Sequence, residues 1–143
     1  MTNEQINLVR ASFAKVKPLA DEAAVLFYVK LFDSDPELRR LFKTDIGKQG
    51  RKLMQMIEAA VNGLDHLEEL VPVVRELGAR HAAYGVEDRH YETVGAALLW
   101  TLERALPEDF SGETKEAWTA VYNLLAETMK DASRRLSGNA AAV

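Results

Sequence analysis

Apolar residues recur at three- and four-residue steps along almost the whole chain, and nowhere do they alternate strictly over the length of a strand. A chain written with that period folds as helices whose apolar stripes face one another. Interruptions are few, four prolines and eight glycines in 143 residues, so the predicted fold class is all-α. Thr2 and Gln5 form a capping-box pattern ahead of the stripe Ile6, Val9, Phe13 and Val16, which stops at Lys17-Pro18. A second helix is predicted over 23–32, dense enough in apolar side chains to need burial on more than one side. Asp35, Pro36 and Glu37 supply a cap, a first-position proline and a first-turn acid for a short helix over 38–42. Further helices are predicted over 48–61, stopped by Gly63; over 65–71; over 73–84, opened by Pro72 and ended by Gly85; over 88–105; and from Ser111 to about Arg134. One domain over 1–136 follows, with 137–143 as a flexible tail too poor in apolar area to pin itself.

Composition excludes several classes of function. The 18 basic and 22 acidic residues leave a net charge of −4 with no dense block of Lys and Arg, which argues against nucleic acid as a partner. With no cysteine there are no disulfides, cysteine-held metals or thiol nucleophiles, which suits a cytoplasmic home. The first residues carry neither a basic segment nor an apolar signal core, and no stretch approaches the ~20 apolar residues of a membrane span. A chain of this length buries a sizeable core unaided, as a monomer or weak dimer.

Three polar residues occupy apolar stripes. His81 shares a face with Val74, Leu77 and Gly78; Gln49 precedes Leu53 and Met56 by one and two turns; Tyr28 has Ala24, Val25, Leu31 and Phe32 as its helical neighbours. Taken singly, each has a structural reading: a histidine or tyrosine bonded to a backbone carbonyl, a glutamine in water. Together they describe a neutral imidazole, an amide and a phenol directed into an apolar interior with no acid among them, the chemistry of a site for an apolar cofactor. Zinc is disfavoured because His66, His81 and His90 lack a spacing that puts two on one helix face, and His66 and His90 are expected at the surface. No glycine-rich phosphate loop, dinucleotide fingerprint or nucleophile elbow is present.

These residues fall in an order that resembles the bacterial single-domain globins and the haem domain of flavohaemoglobins. The pieces are Leu26-Phe27-Tyr28 with Leu31-Phe32; Pro36 with Leu41-Phe42; Gln49 with Leu53-Met54; Leu77-Gly78 with His81 and Gly85-Val86; His90-Tyr91 with Val94-Gly95; and Ala117-Trp118 with Tyr122. The resemblance covers nearly the whole chain and implies a three-over-three helical sandwich holding haem b. It makes His81 the proximal iron ligand and Phe42 an aromatic wedge on the porphyrin. Tyr28 and Gln49 become distal donors to bound dioxygen, with Leu53 limiting space and excluding water. Lys52 and Arg80 become candidates for the haem propionates, against the alternative of ordinary solvated cations. Leu77, Met56, Val86, Tyr91 and Val94 line or support the pocket, which helical spacing does not separate from plain core.

Two departures from the flavohaemoglobin pattern qualify that reading. The chain ends at Val143 without the family's appended flavin reductase, so turnover calls for a separate one. Tyr91 matches a tyrosine of the proximal network, but Ser133 stands where the family has an acid, which weakens electron donation from the imidazole. The functions implied are reversible binding of dioxygen and other diatomic gases such as CO and NO, for transport, storage or sensing, or nitric oxide dioxygenation. A helical signalling domain without haem is the third reading.

Overall fold

The structure, a computed structural model, describes the backbone of residues 1–42 and 45–142 and the side chains of 1–42 and 45–135. Among the described residues there are six α-helices and no strands. They are α1 (Asn3–Val16), α2 (Ala20–Ser34), α3 (Ile46–Asn62), α4 (Leu67–Ala83), α5 (Asp88–Ala105) and α6 (Gly112–Ala142). The capping box forms as expected: Thr2 Oγ1 accepts the Gln5 N–H while the Gln5 side chain accepts the Thr2 N–H.

Local sequence and tertiary structure part company at four places. Residues Pro36–Leu41 wind as a 3₁₀ turn with Asp35 as cap, because a segment this short, wedged against α2, has no room to complete α-helical turns. Pro72 opens nothing: α4 runs through it from Leu67. The proline sits exposed, near the start of a helix whose burial of Leu70, Val74 and Gly78 outweighs one missing N–H bond. His90 is buried rather than exposed, since it serves as the third residue of a capping box on α5 and its Nδ1 accepts the Glu87 N–H at 2.9 Å. The backbone of α6 continues beyond Arg134 to Ala142; the behaviour expected of 137–143 as a tail lies outside the described side chains.

Two apolar clusters organise the helices. The larger gathers Val9, Phe13, Val16, Val61, Leu102 and Trp118 from α1, α3, α5 and α6 with Leu70 and Val74 of α4. Trp118 is its centrepiece, and its indole N–H donates to Ser12 Oγ at 2.8 Å across 106 residues of chain. Two apolar cavities of about 10 and 20 Å³ remain, both touching Ile57, Leu98 and Trp118. With no polar partner for a water they stay dry. The smaller cluster joins Phe27, Tyr28, Leu31, Leu38 and Ala97 to half-buried Phe42, Ile46, Leu53 and Val94. No helix among the described residues is long and apolar enough to cross a membrane.

Candidate functional site: an imidazole facing an apolar gap

Helix α4 rests on α6 and makes little close contact with α2, α3 or α5, whereas α2 packs on both α3 and α5. The close seating on α6 depends on Gly78. A methyl group there would come within 2.6 Å of Met129 Cα, so only glycine lets the two backbones approach. The flank of α4 beside this contact, which carries Leu77 and His81, is left half buried. Phe32, Leu41, Phe42, Ile46, Leu53 and Val94 of the Tyr28 cluster, and Met56 of α3, are also half buried, more exposed than core yet too apolar for a free surface, and α4 is not packed closely on the helices that carry them.

The polar atoms of the gap point to a ligand. His81 Nδ1 lies 2.7 Å from the Leu77 carbonyl, one turn back on the same helix. A carbonyl only accepts, so Nδ1 carries the proton and Nε2 keeps its lone pair, with no partner among the described residues. Desolvation lowers the imidazole's pKa below its ordinary value, against the smaller opposing effect of the Leu77 bond, and so favours the neutral, metal-binding form. The loop that follows is tied back by the Val86 N–H donating to the His81 carbonyl at 3.0 Å, and Gly85 supplies the φ of +97° that the reversal needs.

Tyr28 is 4% exposed, and its ring stands edge-on to Phe27 and Phe42 at centroid distances of 5.0 and 5.4 Å. Its hydroxyl makes no hydrogen bond to a described residue, yet no described buried side-chain polar atom is sealed away without a partner, so the phenol oxygen reaches accessible space. Burial pushes its pKa up to about 12, which keeps it an O–H donor. Gln49 is half buried on the first turn of α3, and the next residue, Gly50, brings that helix onto α2: a Cβ there would lie 2.9 Å from Ala24 Cβ and 3.8 Å from the Tyr28 ring. Glycine at position 50, which the sequence alone does not single out, is what lets the start of α3 pack directly on α2 beside Tyr28. Its only prior signal was its place among interior positions of a helix.

The remaining candidates divide. Phe42, Leu53 and Val94 join the Tyr28 cluster. Tyr91 is buried, and its carbonyl accepts the Tyr122 hydroxyl; burial raises both phenols, with Asp88 adding to the effect at Tyr91. Lys52 is exposed with no ion pair among the described residues, whereas Arg80 is held by Glu76 at 2.7 Å. No cluster of three His, Asp or Glu side chains that could chelate a metal occurs among the described residues, so a lone imidazole needs the other ligands to come with the metal. The donor set fits an iron macrocycle: one neutral imidazole nitrogen on α4, and a phenol with apolar neighbours on α2.

A globin family model matches residues 25–129, and the chain belongs to the globin family, with its all-α, three-over-three helical fold. It is 31% identical over 134 residues to a flavohemoprotein of Vibrio cholerae, covering 92% of this chain and 34% of that protein. Flavohemoproteins of Bordetella parapertussis and Bacillus thuringiensis are each 30% identical, over 94% and 89% of this chain and 34% and 32% of theirs. The chain thus spans about a third of the length of the curated relatives it matches.

Proposed function

We propose that the gap holds haem b, with His81 Nε2 as the iron's protein ligand, and that the protein binds dioxygen and other diatomic gases reversibly in the cytoplasm. The observation that carries this reading is a pair of groups without a protein partner among the described residues, the His81 Nε2 lone pair and the Tyr28 O–H, each beside half-buried apolar side chains. When bound, haem supplies ferrous iron that shares electron density with a diatomic ligand. The chain's own residues do the rest. The Leu77 carbonyl holds the imidazole's tautomer and orientation. Tyr28 donates a hydrogen bond to the ligand's partial negative charge, with Gln49 beside it. Leu53 and Phe42 exclude water, and Lys52 and Arg80 stand as partners for the propionates, Arg80 after releasing Glu76.

Nitric oxide dioxygenation is the second reading, favoured by the flavohemoprotein relatives. Bound haem would supply the one electron with which dioxygen and nitric oxide give nitrate, and a reductase would have to return it. Stopped-flow mixing of the oxygenated protein with NO separates the two. Sustained turnover with a reductase makes it an enzyme; accumulation of the ferric form after one equivalent leaves a gas-binding protein. Purified chain that shows no Soret band after haem addition overturns both, and His81→Ala is expected to lose tight haem retention.

A further inference from the structure

Charge is distributed unevenly. Residues 39–52 hold six of the 18 basic residues and one of the 22 acidic ones, so a segment with five net positive charges sits in a chain whose remainder is at −9. Lys43 lies outside the described residues. On α3, Lys48, Arg51, Lys52 and Gln55 follow the i, i+3, i+4, i+7 spacing of one face, and all four are exposed. The three cations have no acidic partner among the described residues, as is also true of the exposed but scattered Arg75, Arg104 and Lys115, whereas exposed Lys15, Lys17, Arg80, Arg89 and Arg134 each have one. Arg39 and Arg40 are exposed on the preceding turn.

The placement opposes local stability. Helices α1, α2, α4, α5 and α6 each carry an acid in their first turn, where the helix dipole favours it. Helix α3 has Asp45 at its N-cap, without a capping bond from its side chain, but carries no acid in its first turn and sets cations in its first two turns. Residues that break a local rule without a compensating contact mark a role outside the fold. The stripe shares α3 with Ile46 and Leu53, which pack against the Tyr28 cluster.

We infer that this basic face is the docking surface for an acidic electron-donor protein, which it draws in and seats at the mouth of the gap. The inference rests on the haem reading, because the electron has to arrive at an iron. A reduced flavin in the partner gives up one electron and becomes a semiquinone, and ferric iron takes that electron and becomes ferrous. Complementary charge raises the rate of such encounters and makes it fall with salt.

The test uses the haem-loaded ferric protein and two reductants: flavodoxin hydroquinone, an acidic flavin protein, and lumiflavin semiquinone, which is small and uncharged. With flavodoxin, the second-order reduction rate is expected to drop about tenfold or more between about 20 and 300 mM salt, and by a similar factor in Lys48→Glu/Arg51→Glu. The lumiflavin rate and the Soret spectrum of that variant stay as in the wild type, which shows that it folds and keeps its haem. A flavodoxin rate indifferent to salt and to the double substitution overturns the proposal. So does charge-dependent co-sedimentation with phosphatidylserine-containing vesicles, or retardation of duplex DNA, in place of a flavodoxin effect, since either assigns the face to another partner. A wild type with no Soret band overturns the haem reading beneath it and is told apart at the first spectrum.

Discussion

Tyr28 is packed among aromatic and aliphatic side chains, and its hydroxyl is bonded to no described residue yet open to accessible space, so the fold asks little of that oxygen. On the proposed reading it donates a hydrogen bond to the bound ligand. Replacing it with Phe is therefore expected to change the stability of the haem-free protein by less than about 1 kcal/mol and to raise the dioxygen dissociation rate about tenfold, equivalent to ~1.4 kcal/mol. Stopped-flow displacement by CO reads the rate, and an unchanged value removes Tyr28 from the site. With the phenol's pKa pushed up to about 12, that rate is expected to show no step from Tyr28 ionisation between pH 6 and 10. His81 works in the opposite sense. Its folded-state pKa is lowered, so below the ordinary histidine value of about 6.5 the unfolded chain binds a proton that the native one does not. Stability of the haem-free protein is expected to fall as pH drops below that value, and urea unfolding at pH 5.5 and 7.5 should show a smaller fall in His81→Leu.

Helices are placed here by residues without side chains as much as by apolar stripes. Gly78 and Gly50 allow two close approaches, α4 on α6 and α3 on α2, and Gly95 makes room on α5 for the Tyr122 ring. Since Met129 meets a Cβ at position 78 with backbone rather than with a movable side chain, Gly78→Ala is expected to destabilise the protein by about 1–3 kcal/mol. Because α4 also carries His81, haem retention should weaken with it, which denaturant midpoints and haem transfer to an acceptor protein measure together. Helix starts were legible where the cap is local, as at Thr2 and Asp35. They were not legible at Pro72 or His90. A proline reads as a start until distant burial overrides it, and a histidine reads as solvated until its ring is seen to bond the loop before it.

The interior divides into two clusters, a large one around Trp118 and a smaller one around Tyr28, and on the proposed reading the second lines the haem site. Ser12→Ala, which strands the buried Trp118 N–H, is expected to cost about 1–3 kcal/mol while leaving the haem spectrum of the folded protein unchanged. Thermal unfolding followed by tryptophan fluorescence and by Soret absorbance checks both halves of that statement. Haem binding in turn stabilises the whole by mass action, so the unfolding temperature should rise with haem concentration.

Period and punctuation in the amino-acid order were enough to specify an all-helical chain, to place most helix bodies, and to single out His81, Tyr28 and Gln49 as polar residues on apolar faces. Those signals are local, carried within a few turns of one helix. Tertiary structure alone decided that α4 stands off from α2, α3 and α5, that the His81 proton is on Nδ1 and the Tyr28 hydroxyl lacks a partner, and that Gly50 and Gly78 set the spacing. Each of these depends on which atoms of distant segments come within contact distance, and no periodicity along a single chain encodes a separation between two helices.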